Sequence, residues 1–264
     1  MLSFNRAVQE FEFFSMRKTR LKEGWPSVRA LANRFYYSRP AWIDGTSEFT
    51  NLVKSHLRPE YRILDLGAGP GKQGAVSFRG NVRAVVGIDC HPCIRENRWI
   101  DHRVLGLAQY LPFGSASFEM VLSDWALEHF AQPREIASEV FRVLRPSGLF
   151  AFRTGNIRHY SYAIAASTPY WFHRLVANRV RALPPDETPP HPTYYLMNTR
   201  EAVRECLLGV GFIEQQLVMI EPEPSYLMVS VPSFLIGVTY ERLVNRVKGL
   251  AGVRACILGC FRKP

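Results

Sequence analysis

A glycine-rich loop follows a short apolar run in the first third of the sequence. Residues 63–71 read ILDLGAGPG, so that Asp65 is followed closely by Gly67, Gly69 and Gly71. Glycine adopts positive φ angles at little cost, and its missing side chain lets another molecule touch the main chain directly. A tight turn with nothing bound would also use a glycine or two. The loop therefore indicates a ligand site only together with a second feature.

The second feature is Asp89, which ends the apolar run VVGID. It lies about 20 residues after the glycines, the spacing at which an acid accepts hydrogen bonds from a ribose diol in nucleotide-binding folds. The alternative is a surface turn residue or a helix cap. The dinucleotide-binding pattern is G-x-G-x-x-G, whereas this loop reads G-x-G-x-G after an acid. The two features together predict a nucleoside-binding site, in a family other than that of the dinucleotide-binding proteins.

Short aliphatic runs separated by helix-sized gaps would position these residues. A helical pattern covers about 133–144 and ends before Pro146. Such alternation is typical of an α/β fold with a parallel sheet and helices on both faces. Ligands bind such sheets at the carboxyl ends of the strands, where the glycine loop would lie. The predicted strands are 62–66, 84–88, 103–105, 120–123 and 149–153.

Composition limits the alternatives. The chain has 264 residues and 47% hydrophobic content, enough for one main core. Its formal net charge of +10 suits nucleic acid, an anionic membrane surface or a phosphorylated substrate. The 33 Lys and Arg residues are scattered among 23 acids, which is equally typical of a basic soluble protein. Charge alone therefore does not select a partner.

The cysteines predict a reducing, cytoplasmic setting. Five cysteines form an odd count without a regular framework, and the N-terminus lacks a signal-peptide profile. Cys90 and Cys93 have the spacing of a redox or zinc half-site, but no second pair accompanies them, so we expect no metal. No apolar run reaches the roughly 20 residues that a spanning helix needs. We therefore expect no transmembrane segment.

Five blocks resemble class I S-adenosylmethionine-dependent methyltransferases, specifically the broad type 11 group. The resemblance implies a Rossmann-like, doubly wound, mostly parallel sheet of seven strands with helices on both faces. It also implies methyl transfer from S-adenosylmethionine. The blocks are LDLGAGPG at 64–71, VGIDCHP at 86–92, GLAQYLPF at 106–113, SFEMVLSDWALEHF at 117–130 and FRVLRPSGLFAFRTGN at 141–156.

The resemblance also implies a set of cofactor-binding residues. Family members often carry an acid beside adenine in the third block, where this chain has Leu107. Adenine would then be held by main-chain groups and apolar contact. The implied residues are Asp65, Gly67, Ala68 and Gly69 for the amino acid end of the cofactor, Gly71 in the same loop, Asp89 for the ribose, Leu107, Ala108 and either Cys90 or His91 for adenine, and Ser123 and Asp124 beside the sulfonium.

Catalytic residues are harder to identify because a sulfonium already carries an activated methyl group. In-line placement of the acceptor supplies much of the rate, and a base that removes a proton contributes next. Asp124 and His129, in the fourth block, are the candidates for such a base. His129 has an alternative role, which is to cap or support the following helix.

With the segments outside the five blocks included, we expect the chain to have three parts. Residues 1–60 would form an N-terminal helical cap that includes Tyr36, Tyr37 and Trp42, and residues 61–232 the methyltransferase domain with an insertion at 157–197. Its last two strands would be 212–220 and 226–231, antiparallel at the sheet edge. Residues 233–264 would be a helical extension with apolar and basic residues. That extension would either cover the core or contact an anionic membrane surface peripherally.

The predicted function is transfer of a methyl group to a small-molecule, glycan or lipid-linked acceptor, at oxygen. The alternatives are an RNA-directed methyltransferase and a non-catalytic cofactor-binding protein. Enzymes that methylate exocyclic base nitrogens usually carry an acid or Asn, two prolines and an aromatic residue after the fourth strand. This chain reads Ser-Asp-Trp-Ala at 123–126, which makes nucleic acid the less favoured acceptor.

Overall fold

The computed structural model describes residues 37, 44–71, 77–162, 192–224, 227 and 230–264. The chain divides into two compact units. The sheet unit comprises 46–155, 194–218 and 256–264, and the helical unit comprises 1–45, 156–193 and 219–255. Most of the predicted N-terminal cap, with Tyr36 and Trp42, and most of the predicted insertion lie outside the described residues.

A seven-stranded sheet forms the framework, as predicted. Its strand order is β3-β2-β1-β4-β5-β7-β6. Strands β1 to β5 pair in parallel, and β7 pairs antiparallel with β5. The strands are β1 (Arg62–Leu66), β2 (Ala84–Asp89), β3 (His102–Leu105), β4 (Phe118–Asp124), β5 (Leu144–Gly155), β6 (Ile213–Ile220) and β7 (Cys256–Arg262).

The central strands are buried on both faces. A strand in that position needs apolar side chains on both sides, which is why these strands are continuous aliphatic runs. Ile63 and Leu64 of β1 and Val121 of β4 have no exposed surface. The register places Asp65 opposite Gly87 of β2 and Leu122 of β4. The carboxyl ends of β1, β2 and β4 therefore meet at one edge, which carries the glycine loop.

Four α-helices accompany the described strands, together with short 3₁₀ turns at Pro92–Glu96, Leu127–His129 and Lys248–Val253. Helix α2 begins at a proline, where a missing N–H costs nothing, and buries Ile136 and Val140. Helix α3 begins after Thr199, whose side chain accepts a hydrogen bond from the Ala202 N–H. The helices are α1 (Gly45–Lys54), α2 (Pro133–Val143), α3 (Arg200–Val210) and α4 (Val231–Arg246).

The last strand of the sheet differs from the prediction. Strand β6 is confirmed. Residues 226, 228 and 229 of its predicted partner at 226–231 lie outside the described residues, and the end of that range is wrong, because Ser230 caps α4 and Val231 begins it. The seventh strand is instead Cys256–Arg262, within the predicted helical extension 233–264. All residues of this strand except the last are buried, and its sequence CILGCFR is accordingly an apolar run that is broken only at its end. Such a run is equally compatible with a buried helix and a buried strand.

Candidate functional site

The glycine loop is packed at one point and open at another. Gly67, Gly69 and Gly71 have φ angles of 79°, 50° and 64°. A Cβ atom added at Gly67 would lie 2.5 Å from the Cβ of Ala126, so only glycine fits beneath that residue. A Cβ atom at Gly69 would meet nothing within 4 Å. The loop thus exposes bare main chain at Gly69, where a ligand can approach it.

Asp89 is oriented by the main chain on both sides. Its Oδ2 accepts a hydrogen bond from the Gly69 N–H at 2.9 Å, and its Oδ1 accepts one from the His91 N–H at 2.8 Å. An ionised carboxylate offers about four lone-pair positions, so both oxygens keep capacity for further donors. The half-buried carboxylate is therefore fixed beside the loop and can accept two hydroxyl groups.

Asn97 stabilises the loop from behind, and sequence reasoning missed it. Its Nδ2 donates to the carbonyl oxygens of Ala68 and Gly69 at 3.0 and 3.2 Å, and its Oδ1 accepts from the Trp99 N–H. A Cβ atom added at Gly71 would overlap its amide group. Asn97 follows the loop by nearly thirty residues, and no motif marks it. The contact exists only in the folded chain.

Asp65 is the next-to-last residue of β1 and lies in a strongly acidic environment. Burial raises the pKa of its carboxyl group to about 7, and the negative charges of Asp124 and Asp89 add to that effect. Three carboxyl groups therefore lie close together at this edge of the sheet. A bound cation would be stabilised there, and its charge would favour ionisation of Asp65.

Asp124 forms an ion pair with Arg153. Arg153 donates from Nε to Oδ1 at 2.6 Å and from Nη2 to Oδ2 at 2.7 Å. Its third nitrogen donates to Thr46 Oγ1 at 2.9 Å, and its side chain is only 4% exposed. A carboxylate bound by both oxygens is a poor proton acceptor. The geometry thus favours an anchoring role for Asp124 over the role of base, and it adds Arg153, which the sequence did not single out.

The other two predicted residues of the fourth block, Ser123 within β4 and His129 after it, differ in environment. Ser123 is fully buried, and its hydroxyl donates to the Leu66 carbonyl at 3.1 Å, so it joins β4 to β1. His129 is half-buried in the 3₁₀ turn that follows. The neighbouring Glu128 is buried and accepts a hydrogen bond from Thr154 Oγ1 at 2.6 Å. Only His129 of these three presents a partly exposed side chain.

Trp125 is an unpredicted feature of the same tip. Its φ of 56° lies in the left-handed region, which a bulky residue rarely adopts. Its indole Nε1 is buried, and no described residue accepts a hydrogen bond from it. Strained backbone and unsatisfied buried donors concentrate at functional sites. Trp125 is therefore a candidate donor to a bound molecule.

The predicted adenine residues form an apolar rim beside Asp89. The Gly106 N–H donates to the Asp89 carbonyl at 2.9 Å, which brings the segment after β3 next to the end of β2. Leu107 is 48% exposed, Cys90 is exposed, and Ala108 is half-buried. Within the described ranges, no three His, Cys, Asp or Glu side chains cluster as metal ligands.

Comparison with known proteins identifies the segment that carries this site. Residues 64–152 match the family model described as "Methyltransferase domain". An uncharacterized methyltransferase of Synechocystis is 35% identical over 135 residues, which cover 48% of this chain and 62% of that protein. A malonyl-[acyl-carrier protein] O-methyltransferase of Enterobacter lignolyticus is 32% identical over 97 residues, which cover 35% of this chain and 38% of that protein. The matches thus span less than two thirds of either relative.

Solved structures confirm the fold. The [4+2]-cyclase SpnF superposes with a TM-score of 0.57 over 100% of this chain and 95% of its own, at 16% identity. Identity at that level shows a shared fold alone. The family match confirms the resemblance to class I methyltransferases and supports S-adenosylmethionine as the cofactor.

Proposed function

Because residues 64–152 match the family model of a methyltransferase domain, we propose that this chain transfers a methyl group from S-adenosylmethionine to an oxygen atom of its acceptor. The acceptor is a small molecule, a glycan or a lipid-linked compound. One observation carries the proposal: the Asp89 carboxylate is fixed by two backbone N–H groups directly beside the open main chain at Gly69. That arrangement suits a ribose diol next to a group in contact with the loop.

The donor set of the site fits this cofactor. Asp89 would accept both ribose hydroxyls, and the rim of Cys90, Leu107 and Ala108 would cover the adenine ring. Asp65 would pair with the ammonium group. The N–H groups of Gly67 and Ala68 donate to the Ile88 carbonyl and that of Gly69 donates to Asp89, so the loop would offer the amino acid end close approach to its main chain at Gly69. The cofactor supplies an electrophilic methyl group when bound. Three carboxyl groups against one guanidinium leave the site negative, which favours a ligand with a sulfonium and an ammonium group.

The pH dependence of cofactor binding should reflect Asp65. Its pKa is raised to about 7, so it is protonated below that pH and must lose its proton to pair with an ammonium group. We expect affinity for S-adenosylmethionine to be constant above about pH 7 and to fall as the pH is lowered, approaching tenfold per pH unit. Isothermal titration calorimetry across this range measures the slope, and buffers of different ionisation enthalpy report the released proton.

The Asp65→Asn variant should bind more weakly and lose the slope. Glu119→Gln is the matched control, because Glu119 lies at the opposite end of β4 and should leave the slope unchanged. If the affinity of the unmodified chain for S-adenosylmethionine did not change between about pH 5.5 and pH 7, the assignment of Asp65 would be contradicted.

The acceptor would bind at the tip of β4. Trp125 offers an unsatisfied buried N–H there, which suits an acceptor that carries a hydrogen-bonding oxygen. Proximity to the methyl group would supply most of the rate, since Asp124 is engaged by Arg153. His129 remains the candidate for a general base. The Enterobacter relative is named as an O-methyltransferase, which is consistent with transfer to oxygen.

Trp125→Phe tests the acceptor position because it keeps an aromatic ring and removes the N–H. We expect KM for the acceptor to rise roughly tenfold, as loss of one buried hydrogen bond implies. Affinity for S-adenosylmethionine should remain within about twofold in the same protein, since no cofactor contact is removed. A KM that does not change, or an equal loss of cofactor affinity, would remove Trp125 from the acceptor site.

An acceptor screen tests the function as a whole. Extracts of the source organism are separated into lipid, glycan, small-molecule and nucleic acid fractions and incubated with methyl-labelled S-adenosylmethionine. We expect label in one of the first three fractions. Label in nucleic acid alone would favour the RNA-directed alternative. The net charge of +10 is compatible with that alternative, because a basic protein suits a polyanionic partner. Cofactor binding without label anywhere would favour a non-catalytic role, since one fold can host unrelated functions.

The compartment is part of the proposal. All five cysteines are free thiols, which suits the reducing cytoplasm. Among the described helices, none has the length and hydropathy to cross a bilayer. Peripheral contact with a membrane would place lipid-linked acceptors within reach of the site.

A further inference from the structure

Helix α4 has an unusual distribution of side chains. Its inner face buries Phe234, Val238 and Val244 together with Glu241. Asn245 donates to the Glu241 carboxylate at 2.8 Å and to the Glu221 carbonyl at 2.9 Å, and Tyr240 donates to the Val253 carbonyl at 2.6 Å. These contacts lie within the helical unit and fix the orientation of the helix. Its outer face is therefore well defined.

The outer face is apolar and basic. Leu235, Ile236 and Leu243 are 51%, 67% and 52% exposed. Arg242 and Arg246 lie on the same side, about two and three turns after Leu235, since they follow it at helical spacing. Among the described residues of α4, the single acid is Glu241, which is buried. We call this the outer face of α4: Val231, Leu235, Ile236, Thr239, Arg242, Leu243, Arg246 and Val247, all exposed.

This pattern is the reverse of an ordinary surface helix. A helix that faces water carries charged residues of both signs on its exposed side, and large exposed apolar patches mark interaction surfaces. The outer face of α4 combines large apolar side chains with the positive charges of Arg242 and Arg246. Its described residues include no acid, and Arg242 also pairs with the buried Glu241 behind it, at 3.4 Å. An anionic lipid surface satisfies both properties, because apolar side chains enter the acyl boundary and arginines bind the headgroups.

We propose that the outer face of α4 docks on the surface of an anionic bilayer. The helix would lie in the interfacial plane, with Leu235, Ile236 and Leu243 inserted and Arg242 and Arg246 among the headgroups. Exposed Lys248, two residues after the end of the helix, extends the basic end. The proposal does not depend on methyl transfer, since it concerns a separate unit and needs no cofactor.

Sedimentation with vesicles tests the docking. The full chain is mixed with vesicles of phosphatidylcholine alone or of phosphatidylcholine with phosphatidylglycerol, at low and high salt. We expect binding to the anionic vesicles that weakens with salt and little binding to the neutral ones. Arg246→Gln with Lys248→Gln should reduce the affinity roughly 30-fold, as two basic residues near an anionic surface imply. Arg242 is kept because it pairs with the buried Glu241. Leu235→Ser with Ile236→Ser should reduce it at least tenfold, by roughly the loss of two inserted apolar side chains.

Matched controls lie on the sheet unit. Arg58→Gln with Arg83→Gln removes two exposed arginines, and Leu208→Ser removes an apolar side chain that is 47% exposed. These variants should bind vesicles as the unmodified chain does. Circular dichroism verifies that every variant is folded. Failure to bind anionic vesicles, or equal binding by the α4 variants, would overturn the proposal. Salt-sensitive binding of single-stranded RNA that requires Arg246 and Lys248, without vesicle binding, would overturn it as well.

Discussion

Replacing Asp89 with alanine is expected to weaken the affinity for S-adenosylmethionine roughly 100- to 1000-fold. The carboxylate would accept both ribose hydroxyls, and hydrogen bonds to a charged group contribute about 1.5–3 kcal/mol each. The substitution also removes the acceptor for the Gly69 and His91 N–H groups, so the loop loses its fixed position. Isothermal titration calorimetry with S-adenosylmethionine and S-adenosylhomocysteine measures the loss.

Two further variants separate the role of Asp89 from a general effect on the sheet. Asp89→Asn keeps the shape and one acceptor oxygen, so we expect an intermediate loss. Glu119→Gln neutralises a carboxylate that also accepts a backbone N–H, from Arg62, but at the opposite end of the strands. It should bind the cofactor normally. Full affinity in Asp89→Ala would show that the ribose lies elsewhere.

Replacing Arg153 with methionine is expected to lower the free energy of unfolding by about 3 kcal/mol. This is the largest loss of stability that we expect from any of the variants proposed. Arg153 is buried and carries three hydrogen bonds, and removing one partner of a buried ion pair strands the other charge. Arg153→Met leaves Asp124 without its counter-ion. Urea denaturation of Arg153→Met, Asp124→Asn and the double variant gives the coupling energy between the two side chains.

The double variant should recover much of the lost stability, because neither charge then remains unpaired. Arg204→Met is the matched control. Arg204 pairs with Glu214 through two hydrogen bonds at 2.7 Å but is 44% exposed, so its loss should cost less than about 1 kcal/mol. A double variant as unstable as Arg153→Met would show that Asp124 and Arg153 do not act as an anchoring pair.

The strands and the glycine loop could be predicted because their signals are local. A buried parallel strand is a short aliphatic run, and β1 to β4 follow such runs within a few residues. The same rule failed at the C-terminus. CILGCFR is apolar at every position but the last, so periodicity could not distinguish β7 from a continuation of α4.

The parts of the site that the sequence did not reveal are contacts across space. Asn97 supports the loop and Arg153 engages Asp124, and each joins residues more than twenty positions apart. An Arg within the apolar run FAFRTG was the one available signal, because a buried arginine requires a partner. Trp125 gave no signal at all. Its positive φ arises where the chain turns from β4 over Gly67, which is a property of the folded chain.

A crystal structure of the protein soaked with S-adenosylhomocysteine tests the central claim most directly. We predict the ribose hydroxyls within hydrogen-bonding distance of both Asp89 oxygens, the amino acid end against Gly67 to Gly69 with its ammonium group at Asp65, and the adenine ring over Leu107. A nucleoside bound elsewhere in the fold, or one whose ribose makes no contact with Asp89, would contradict the account.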